Sequence, residues 1–293
     1  MKLLFNKQLV DSKEAVISAF DHGFLYGMGL FETFRTYHGS PWLLERHANR
    51  LIKGCEMLGI AYSPDVMQIK EATLEVLKAN GLSDGYIRWS VSAGEGAIGL
   101  PSDPYDRPNE ILYAKELAAD EPMTRKGKTL RLLKLPRSTP EGPYRLKSFH
   151  YMNNIAAKRE LIRSGAGQGT EGLFLDNNGH VTEGMVSNVF WCKGGVLYTP
   201  AAATGLLEGI TREYVIEMAA ELGITVQQGL YSWNELLTAD EVFVTNSIQE
   251  IVPVVNLENE HGLGFLPGGR NTTGPLTSQL MRDYREAAEG DDR

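Results

Sequence analysis

Hydrophobic and polar residues alternate in short segments along the first part of the chain, and apolar residues then recur at helical spacing. Alternation predicts strands over residues 3–5, 8–10, 31–37, 86–93 and 110–114. Apolar residues three and four apart predict two amphipathic helices, over residues 44–58 and 66–77. Strands and helices mixed in this way indicate a first α+β unit.

A stretch rich in proline, glycine and charged residues then interrupts the pattern, and a second unit follows it. Helices are predicted over residues 153–162 and 210–222, and a last helix is predicted after a long loop that covers residues 259–273. Strands are predicted over residues 172–175, 186–191, 196–198, 241–245 and 251–255 and near Val181. The Asn177-Asn178-Gly179 sequence predicts a hairpin turn between two of these strands. The predicted fold class is therefore α+β in two domains, with a small domain over residues 1–118, an interdomain linker over 119–128 and a larger domain over 129–293.

The composition limits the partners and the compartment that we expect for the chain. A formal net charge of −8 over 293 residues argues against a general affinity for nucleic acid or anionic membranes, which need an excess of lysine and arginine. The two cysteines, Cys55 and Cys192, are too few for a disulfide framework, which favours a reducing compartment. The sequence shows neither a signal-peptide core nor a run of about 20 apolar residues. We expect a soluble cytoplasmic protein that binds any anionic ligand at a local site.

Several familiar motifs fail in their sequence context. The glycines from Gly94 to Gly99 match the pattern of a dinucleotide-binding loop and follow a predicted strand. That motif needs a helix directly after it, and Pro101 and Pro104 prevent a regular helix there. The six histidines include no pair with the spacing of a zinc hydrolase, so no metal site is expected. Neither a nucleophilic-serine elbow nor a phosphate-binding Walker loop is present.

Two residue environments fit the capture of an aldehyde cofactor that carries a pyridine ring. Lys147 is surrounded in sequence by Leu, Phe, Tyr and Met, and partial desolvation lowers the pKa of a lysine and frees its amine for Schiff-base formation. Glu183 lies between strand-like runs, where a buried carboxylate needs a cationic partner such as a protonated pyridine nitrogen. The alternatives are an ordinary surface lysine and a solvent-exposed glutamate at the end of a hairpin.

Two further segments suit a phosphate group. The helix predicted from Ile210 offers main-chain N–H groups at Ile210 and Thr211, and Gly209 before them permits the close approach of an anion. The strand over residues 241–245 runs into hydroxyl and amide side chains, Ser247 among them, that suit the same phosphate. A helix capped by Thr211, without a ligand, is the alternative.

These four segments, together with Asp21 to Arg35 and Glu45 to Leu51, resemble the fold-type IV pyridoxal-phosphate enzymes in order and in sequence. That family contains branched-chain aminotransferases, D-amino-acid aminotransferases and 4-amino-4-deoxychorismate lyases. The resemblance implies a small α/β-sandwich domain, a larger barrel-like domain and a pyridoxal 5'-phosphate cofactor between them. It also implies a homodimer.

The resemblance gives each matching residue an expected role. Lys147 would bind the cofactor covalently and move protons, Glu183 would keep the pyridine nitrogen protonated, and Leu207 would pack on the ring. Tyr151 would lie near the ring hydroxyl. The phosphate would be held by Arg50, Ile210, Thr211, Ser247 and the N–H group of Ile248.

The segment from Gly29 to Arg35 resembles the lyases of this family in particular, in which the residue matching Thr33 lies near the substrate. The implied reaction converts 4-amino-4-deoxychorismate to 4-aminobenzoate and pyruvate for folate biosynthesis, and Thr33 would assist proton delivery to the departing group. Arg88 and Arg145 are candidates for binding the two substrate carboxylates, with a surface or interdomain salt bridge as the alternative. An ordinary β-branched strand residue is the alternative for Thr33, and a D-amino-acid or branched-chain amino-acid aminotransferase is the alternative function.

Overall fold

The structure is a computed structural model of the 293-residue chain, and it describes residues 1–117 and 120–290. Residues 118, 119 and 291–293 lie outside the described part, and they include the predicted end of the small domain and the first linker residue. The described residues divide into two compact units, one with residues 1–117, Leu146–His150 and 288–290, the other with Asp120–Arg145 and Tyr151–Ala287. No helix of the described part is long and apolar enough to cross a membrane.

The first unit is built on a six-stranded antiparallel sheet. Its strands are β1 (Lys2–Phe5), β2 (Gln8–Asp11), β3 (Gly29–Tyr37), β4 (Ser40–Pro41), β5 (Gly85–Ser92) and β6 (Asn109–Glu116). They lie in the order β2-β1-β6-β5-β3-β4. Its helices are α1 (His22–Tyr26), α2 (Leu44–Met57) and α3 (Val66–Ala79).

Alternation along the central strands gives this sheet two different faces, because successive side chains of a strand point to opposite sides. One face is apolar and packs with side chains of α2 and α3 in a core that contains Phe34, Ile87 and Trp89, all fully buried. The opposite face carries Phe31 and Thr33 of β3.

Residues 147–149 run antiparallel along the N-terminal half of β3 and extend the sheet there. The N–H group of Phe31 donates to the carbonyl of Lys147, and that of Phe149 donates to the carbonyl of Gly29, both at 2.9 Å. A Cβ atom at Gly29 would lie 2.2 Å from the Phe149 ring, so a side chain at this position would displace that ring. The segment that contains Lys147 is therefore fixed to β3 by both its main chain and its packing.

The second unit is built on a nine-stranded mixed sheet. Its strands are β7 (Lys128–Leu132), β8 (Thr170–Leu175), β9 (Val181–Gly184), β10 (Asn188–Lys193), β11 (Val196–Pro200), β12 (Val226–Gly229), β13 (Glu241–Asn246), β14 (Glu250–Glu258) and β15 (Gly264–Phe265). Their order is β12-β11-β10-β13-β14-β7-β8-β9, with β15 paired to β14. Its helices are α4 (Met152–Arg163), α5 (Ile210–Glu221), α6 (Trp233–Leu236) and α7 (Pro275–Gly290).

The two ends of this strand order meet. The N–H group of Val181 in β9 donates at 2.7 Å to the carbonyl of Tyr231, which follows β12, and His180 forms a bridge with Ser232. Apolar side chains of one face, Trp191 among them, form a common core across the sheet. The sheet therefore closes on itself in a barrel-like form, and the predicted α+β fold class with a larger barrel-like domain is confirmed.

Two details near the strand ends bear on the site. The glycines from Gly94 to Gly99 follow β5 and no helix begins after them, so a dinucleotide-binding loop is absent here as the sequence indicates. Strand β10 begins at Asn188 rather than at the predicted residue 186, because the N–H group of Gly184 donates to the carbonyl of Ser187 in a tight turn before the strand.

Candidate active site

Lys147 is held at the edge of the first-unit sheet. It lies opposite Phe31 in the pairing with β3, so both side chains lie on the face away from α2 and α3. The neighbouring Leu146 turns the other way and packs against the core. The amine nitrogen Nζ of the half-buried Lys147 is 4.8 Å from the centroid of the Phe31 ring. The ring therefore lies against one side of the half-buried amine, and the lowered pKa expected for Lys147 stays a prediction.

Thr33 and Arg88 stand on the same face as Lys147. They lie directly opposite each other in the pairing of β3 with β5. The guanidinium carbon of Arg88 is 3.7 Å from the centroid of the Phe31 ring, and its Nε donates to Ser90 Oγ at 3.2 Å. The first unit therefore brings an amine, a hydroxyl and a guanidinium group to one surface.

Arg50 is bound to a buried carboxylate that no sequence motif indicates. Its Nε and Nη2 atoms each donate at 2.7 Å to Glu32 of β3, and His47 Nδ1 lies 2.7 Å from the same carboxylate. Burial by itself would raise the pKa of Glu32, which is only 1% exposed, but the charge of Arg50 and the hydrogen bonds from Arg50 and His47 lower it to about 2. The ionised Glu32 carboxylate therefore fixes the position of the Arg50 guanidinium.

Glu183 is a buried carboxylate in the second unit, and its cationic partner is Arg137. It is 4% exposed, and its Oε1 accepts from Arg137 Nε at 2.7 Å. Its Oε2 accepts from the N–H group of Leu207 at 3.0 Å and from Asn188 Nδ2 at 3.4 Å. The alternative of an exposed glutamate is therefore wrong. Since Arg137 supplies the cation that burial requires, burial alone does not demand a cofactor nitrogen.

Arg145 lies beside the same carboxylate, but its donors are directed to main-chain oxygens. Its Nε donates to the carbonyl of Gly205 at 2.6 Å, and its Nη2 donates to the carbonyl of Ser138. Its Nε is 3.9 Å from Glu183 Oε1. Burial, together with the charge of Arg137, lowers the pKa of Arg145 to about 10. These contacts favour a supporting position for Arg145, and its substrate role stays a prediction.

The N-terminus of α5 has the features of an anion site. The helix begins at Ile210, and its N-cap, Gly209, has no side chain to accept from the first N–H groups. A Cβ atom at Gly209 would lie 2.1 Å from Oδ1 of the buried Asn188, so a larger residue would displace that side chain. Thr211 is the second helical residue and not the cap, and its hydroxyl is 3.5 Å from Ser247 Oγ. The fold thus brings Ile210, Thr211 and Ser247 together.

Three other residues with predicted cofactor roles have defined surroundings. The N–H group of Ile248 donates to Asn246 Oδ1 at 3.0 Å in the turn after β13. Leu207 is half-buried, and its carbonyl accepts from Asn188 Nδ2 at 2.8 Å. Tyr151 is the N-cap residue of α4 and is 38% exposed. Their roles toward a cofactor stay predictions.

Known proteins share this arrangement of sequence and fold. The family model described as "Amino-transferase class IV" matches residues 29–257. The chain belongs to the class IV aminotransferase family. The matched region runs from the start of β3 to β14 and contains Lys147, Glu183 and the start of α5.

Individual relatives span nearly the full length of this class IV chain. The aminodeoxychorismate lyase of Bacillus subtilis (strain 168) is 43% identical over 284 residues, which are 96% of this chain and 92% of that protein. A putative branched-chain-amino-acid aminotransferase of Methanocaldococcus jannaschii is 36% identical over 98% of this chain and 96% of its own. The crystal structure of the T.th. branched-chain amino acid aminotransferase complexed with N-(5'-phosphopyridoxyl)-L-glutamate gives a TM-score of 0.85 at 32% identity, over 99% of this chain and 94% of that chain. The predicted resemblance to fold-type IV enzymes is confirmed.

Proposed function

We propose that this chain is an aminodeoxychorismate lyase that uses pyridoxal 5'-phosphate. The reaction converts 4-amino-4-deoxychorismate to 4-aminobenzoate and pyruvate, a step in the supply of folate. The observation that carries the proposal is the 43% identity, over 96% of this chain, to the Bacillus subtilis lyase. The shared face of Lys147, Thr33 and Arg88 gives it a chemical basis.

The side chains present fit the separate parts of the cofactor. The uncapped N–H groups at the start of α5 and the adjacent hydroxyls of Thr211 and Ser247 suit a phosphate. The carboxylate of Glu183 suits a protonated ring nitrogen, and the amine of Lys147 suits an aldehyde. From the family resemblance, Arg50, Ile210 and Ile248 would also contact the phosphate, Leu207 would pack on the ring and Tyr151 would lie near the ring hydroxyl.

Lys147 and Thr33, which share one face of the first-unit sheet, have different tasks in this reaction. When bound, the cofactor draws electrons from the carbon that carries the substrate amine. Lys147 would remove the proton from that carbon, and the adjacent Phe31 ring holds its amine beside β3. The bond from the substrate ring to the enolpyruvyl oxygen then breaks and the ring becomes aromatic. Thr33 would pass on to the departing group the proton that Lys147 has taken up, and the group leaves as pyruvate.

Arg88 is the side chain of this face that suits a substrate carboxylate. The substrate carries two carboxylates, which need cationic or N–H partners in the site. Stacking on Phe31 and the hydrogen bond to Ser90 fix the guanidinium beside Thr33. We therefore assign the predicted carboxylate role to Arg88.

Turnover of aminodeoxychorismate without any amino acceptor tests the proposal. Pyruvate, followed by a coupled assay, and 4-aminobenzoate, followed by fluorescence, should form in equal amounts. Lys147→Ala should abolish both products and the covalent fixation of the cofactor by borohydride. Lys158→Ala, a change at an exposed lysine of α4, is the matched control and should keep both. Absence of both products in the wild type would rule out the lyase.

An aminotransferase is the second candidate function, and the similarity to two branched-chain aminotransferases favours it. In that case a D-amino acid or a branched-chain amino acid alone should convert the bound cofactor to its pyridoxamine form. The absorbance change of the cofactor measures this half-reaction. Conversion without lyase turnover would establish the aminotransferase.

The family resemblance also predicts a homodimer. Sedimentation equilibrium should then give about twice the chain mass of 32.4 kDa. A mass equal to one chain would contradict that prediction. A cytoplasmic location likewise stays a prediction.

A further inference from the structure

The ring of Phe31 has two cationic side chains against it. Arg88 Cζ is 3.7 Å and Lys147 Nζ is 4.8 Å from the ring centroid. Arg88 belongs to β5, whereas Lys147 belongs to the segment on the other edge of β3, so the cations approach from opposite sides of the strand. The guanidinium carbon and the amine nitrogen therefore lie within about 8.5 Å of each other, the sum of the two ring distances.

The ring and the guanidinium act on the Lys147 amine with opposite signs. The face of an aromatic ring attracts an ammonium group, which favours the protonated amine. A second positive charge nearby repels the ammonium group, which favours the neutral amine. At a partly buried site each effect corresponds to a pKa shift of about one unit.

We propose that Phe31 is a positioning residue for Lys147 and that Arg88 promotes the neutral form of the same amine. The ring holds the amine at a fixed place beside β3 and separates it from the guanidinium, while the guanidinium makes the proton of the amine easier to lose. A neutral amine is the form that attacks an aldehyde and accepts a proton. The inference rests on the proposed function for the reactive role of Lys147, but the contacts exist whatever the reaction is.

A charged group on the opposite face of β3 also responds to Lys147, because the charge of Lys147 contributes to lowering the pKa of His47. His47 and Arg50 both contact the Glu32 carboxylate. Glu32 is paired with Arg50, and burial is the main cause that holds the pKa of His47 below its usual value, so His47 is neutral near pH 7. Glu32 and Arg50 carry opposite charges, so this buried group has little net charge. Among the charged side chains on the face that Lys147 shares, Arg88 is the one shown to contact the Phe31 ring together with Lys147, so it is the charge to remove.

The test measures the pKa of the Lys147 amine in the full chain after the cofactor has been removed. Competitive acetylation over a pH series, read by mass spectrometry of the Lys147 peptide, gives this value without any turnover. Phe31→Leu should lower the pKa by about one unit, because leucine keeps the apolar volume but has no aromatic face. Arg88→Gln should raise it by about one unit. Phe31→Tyr, which keeps the ring, should leave it nearly unchanged.

Lys115→Gln is the matched control. It removes a positive charge from the same face of the sheet, on β6, which is separated from β3 by β5, and it should not shift the pKa. A lower pKa of Lys147 in Phe31→Leu together with a higher pKa in Arg88→Gln supports the proposal. Any other result, including the absence of the expected shift in one of the two variants, overturns it. Phe31→Met replaces Phe31→Leu if the leucine variant loses the wild-type circular dichroism spectrum. Since the measurement uses no substrate, failure of the lyase assay and failure of this inference are separate results.

Discussion

Glu32 in the first unit and Glu183 in the second are both buried carboxylates that face an arginine, but they are bound in different ways. Glu32 is contacted by two side chains of one helix, Arg50 through two nitrogens and His47 through a third. Glu183 has the Arg137 side chain on one oxygen, and the other oxygen accepts from a main-chain N–H group and an amide. Among the described residues, Glu32 is bound by side chains, whereas Glu183 is also bound by the backbone.

This difference indicates what each carboxylate does. His47 and Arg50 are three residues apart on α2, so Glu32 anchors one face of that helix to β3 and fixes the Arg50 guanidinium. Glu183 fixes the loop at Leu207 that leads into α5, and its own position is set by partners from separate segments. Glu32 therefore holds the Arg50 side chain in place, whereas the Glu183 carboxylate is itself held in place as a hydrogen-bond acceptor.

Removal of Arg137 should have the largest effect, because it leaves the buried Glu183 without its closest cation. We expect Arg137→Met to lower the free energy of unfolding by about 3–5 kcal/mol at pH 7, the cost of an uncompensated buried charge. Urea denaturation followed by circular dichroism measures this loss. Arg137→Lys keeps the charge and should lose less. A loss below about 1 kcal/mol in Arg137→Met would show that Arg145 and the N–H donors suffice for Glu183.

Periodicity predicts the long elements of this fold well, because each of them buries one face. The predicted spans of α2, α3, α5, β3, β5 and β13 lie within about two residues of the observed ones. The elements that the pattern does not predict are α1, α6, β4, β7, β12 and β15, which have at most five residues each. Segments of that length bury few side chains and often leave no readable period, although alternation does predict the equally short β1, β2, β9 and β11.

In the candidate site, the sequence likewise predicts the residues that lie in a recognisable segment and misses those defined by a distant partner. Lys147 and Glu183 can be found because each lies inside a recognisable segment of its own. Glu32, His47 and Arg137 escape such reasoning because their partners lie 15 to 46 residues away. One signal does exist for Glu32, since alternation along β3 places it on the core-facing side between apolar neighbours. A carboxylate at such a position requires a cation, but the sequence does not say which one.

The second prediction concerns the stability of the folded chain at acid pH, which we expect to depend on Glu32. The pKa of Glu32 is about 2 in the folded chain against an ordinary 4.5, so its ionised form adds about 3 kcal/mol of stability above pH 4.5. That contribution is lost as the pH falls from 4.5 toward 2. His47 acts in the same direction, because its lowered pKa makes the unfolded chain bind protons more readily below pH 6.5.

Glu32→Gln should therefore lose most of the steep fall in the free energy of unfolding between pH 4.5 and 2. Urea denaturation at a series of pH values measures the slope. Glu45→Gln, at an exposed position of the same helix, is the matched control and should keep the wild-type slope. An equally steep slope in Glu32→Gln would assign the acid sensitivity to other carboxylates.

The smallest expected effect comes from Asn188, which links the Glu183 carboxylate to the loop before α5. Its Nδ2 donates to the carbonyl of Leu207 at 2.8 Å, and the residue is 5% exposed. Asn188→Ala leaves that carbonyl with one donor fewer in a buried place, so we expect a loss of about 1–2 kcal/mol in the free energy of unfolding at pH 7. Asn178→Ala, at an exposed hairpin turn, should change the same quantity by less than about 0.5 kcal/mol. If Asn188→Ala loses no more free energy of unfolding than Asn178→Ala, the N–H group of Leu207 and Arg137 hold Glu183 without help from the Asn188 amide. Glu183 would then differ from Glu32 even more clearly in depending on a main-chain donor.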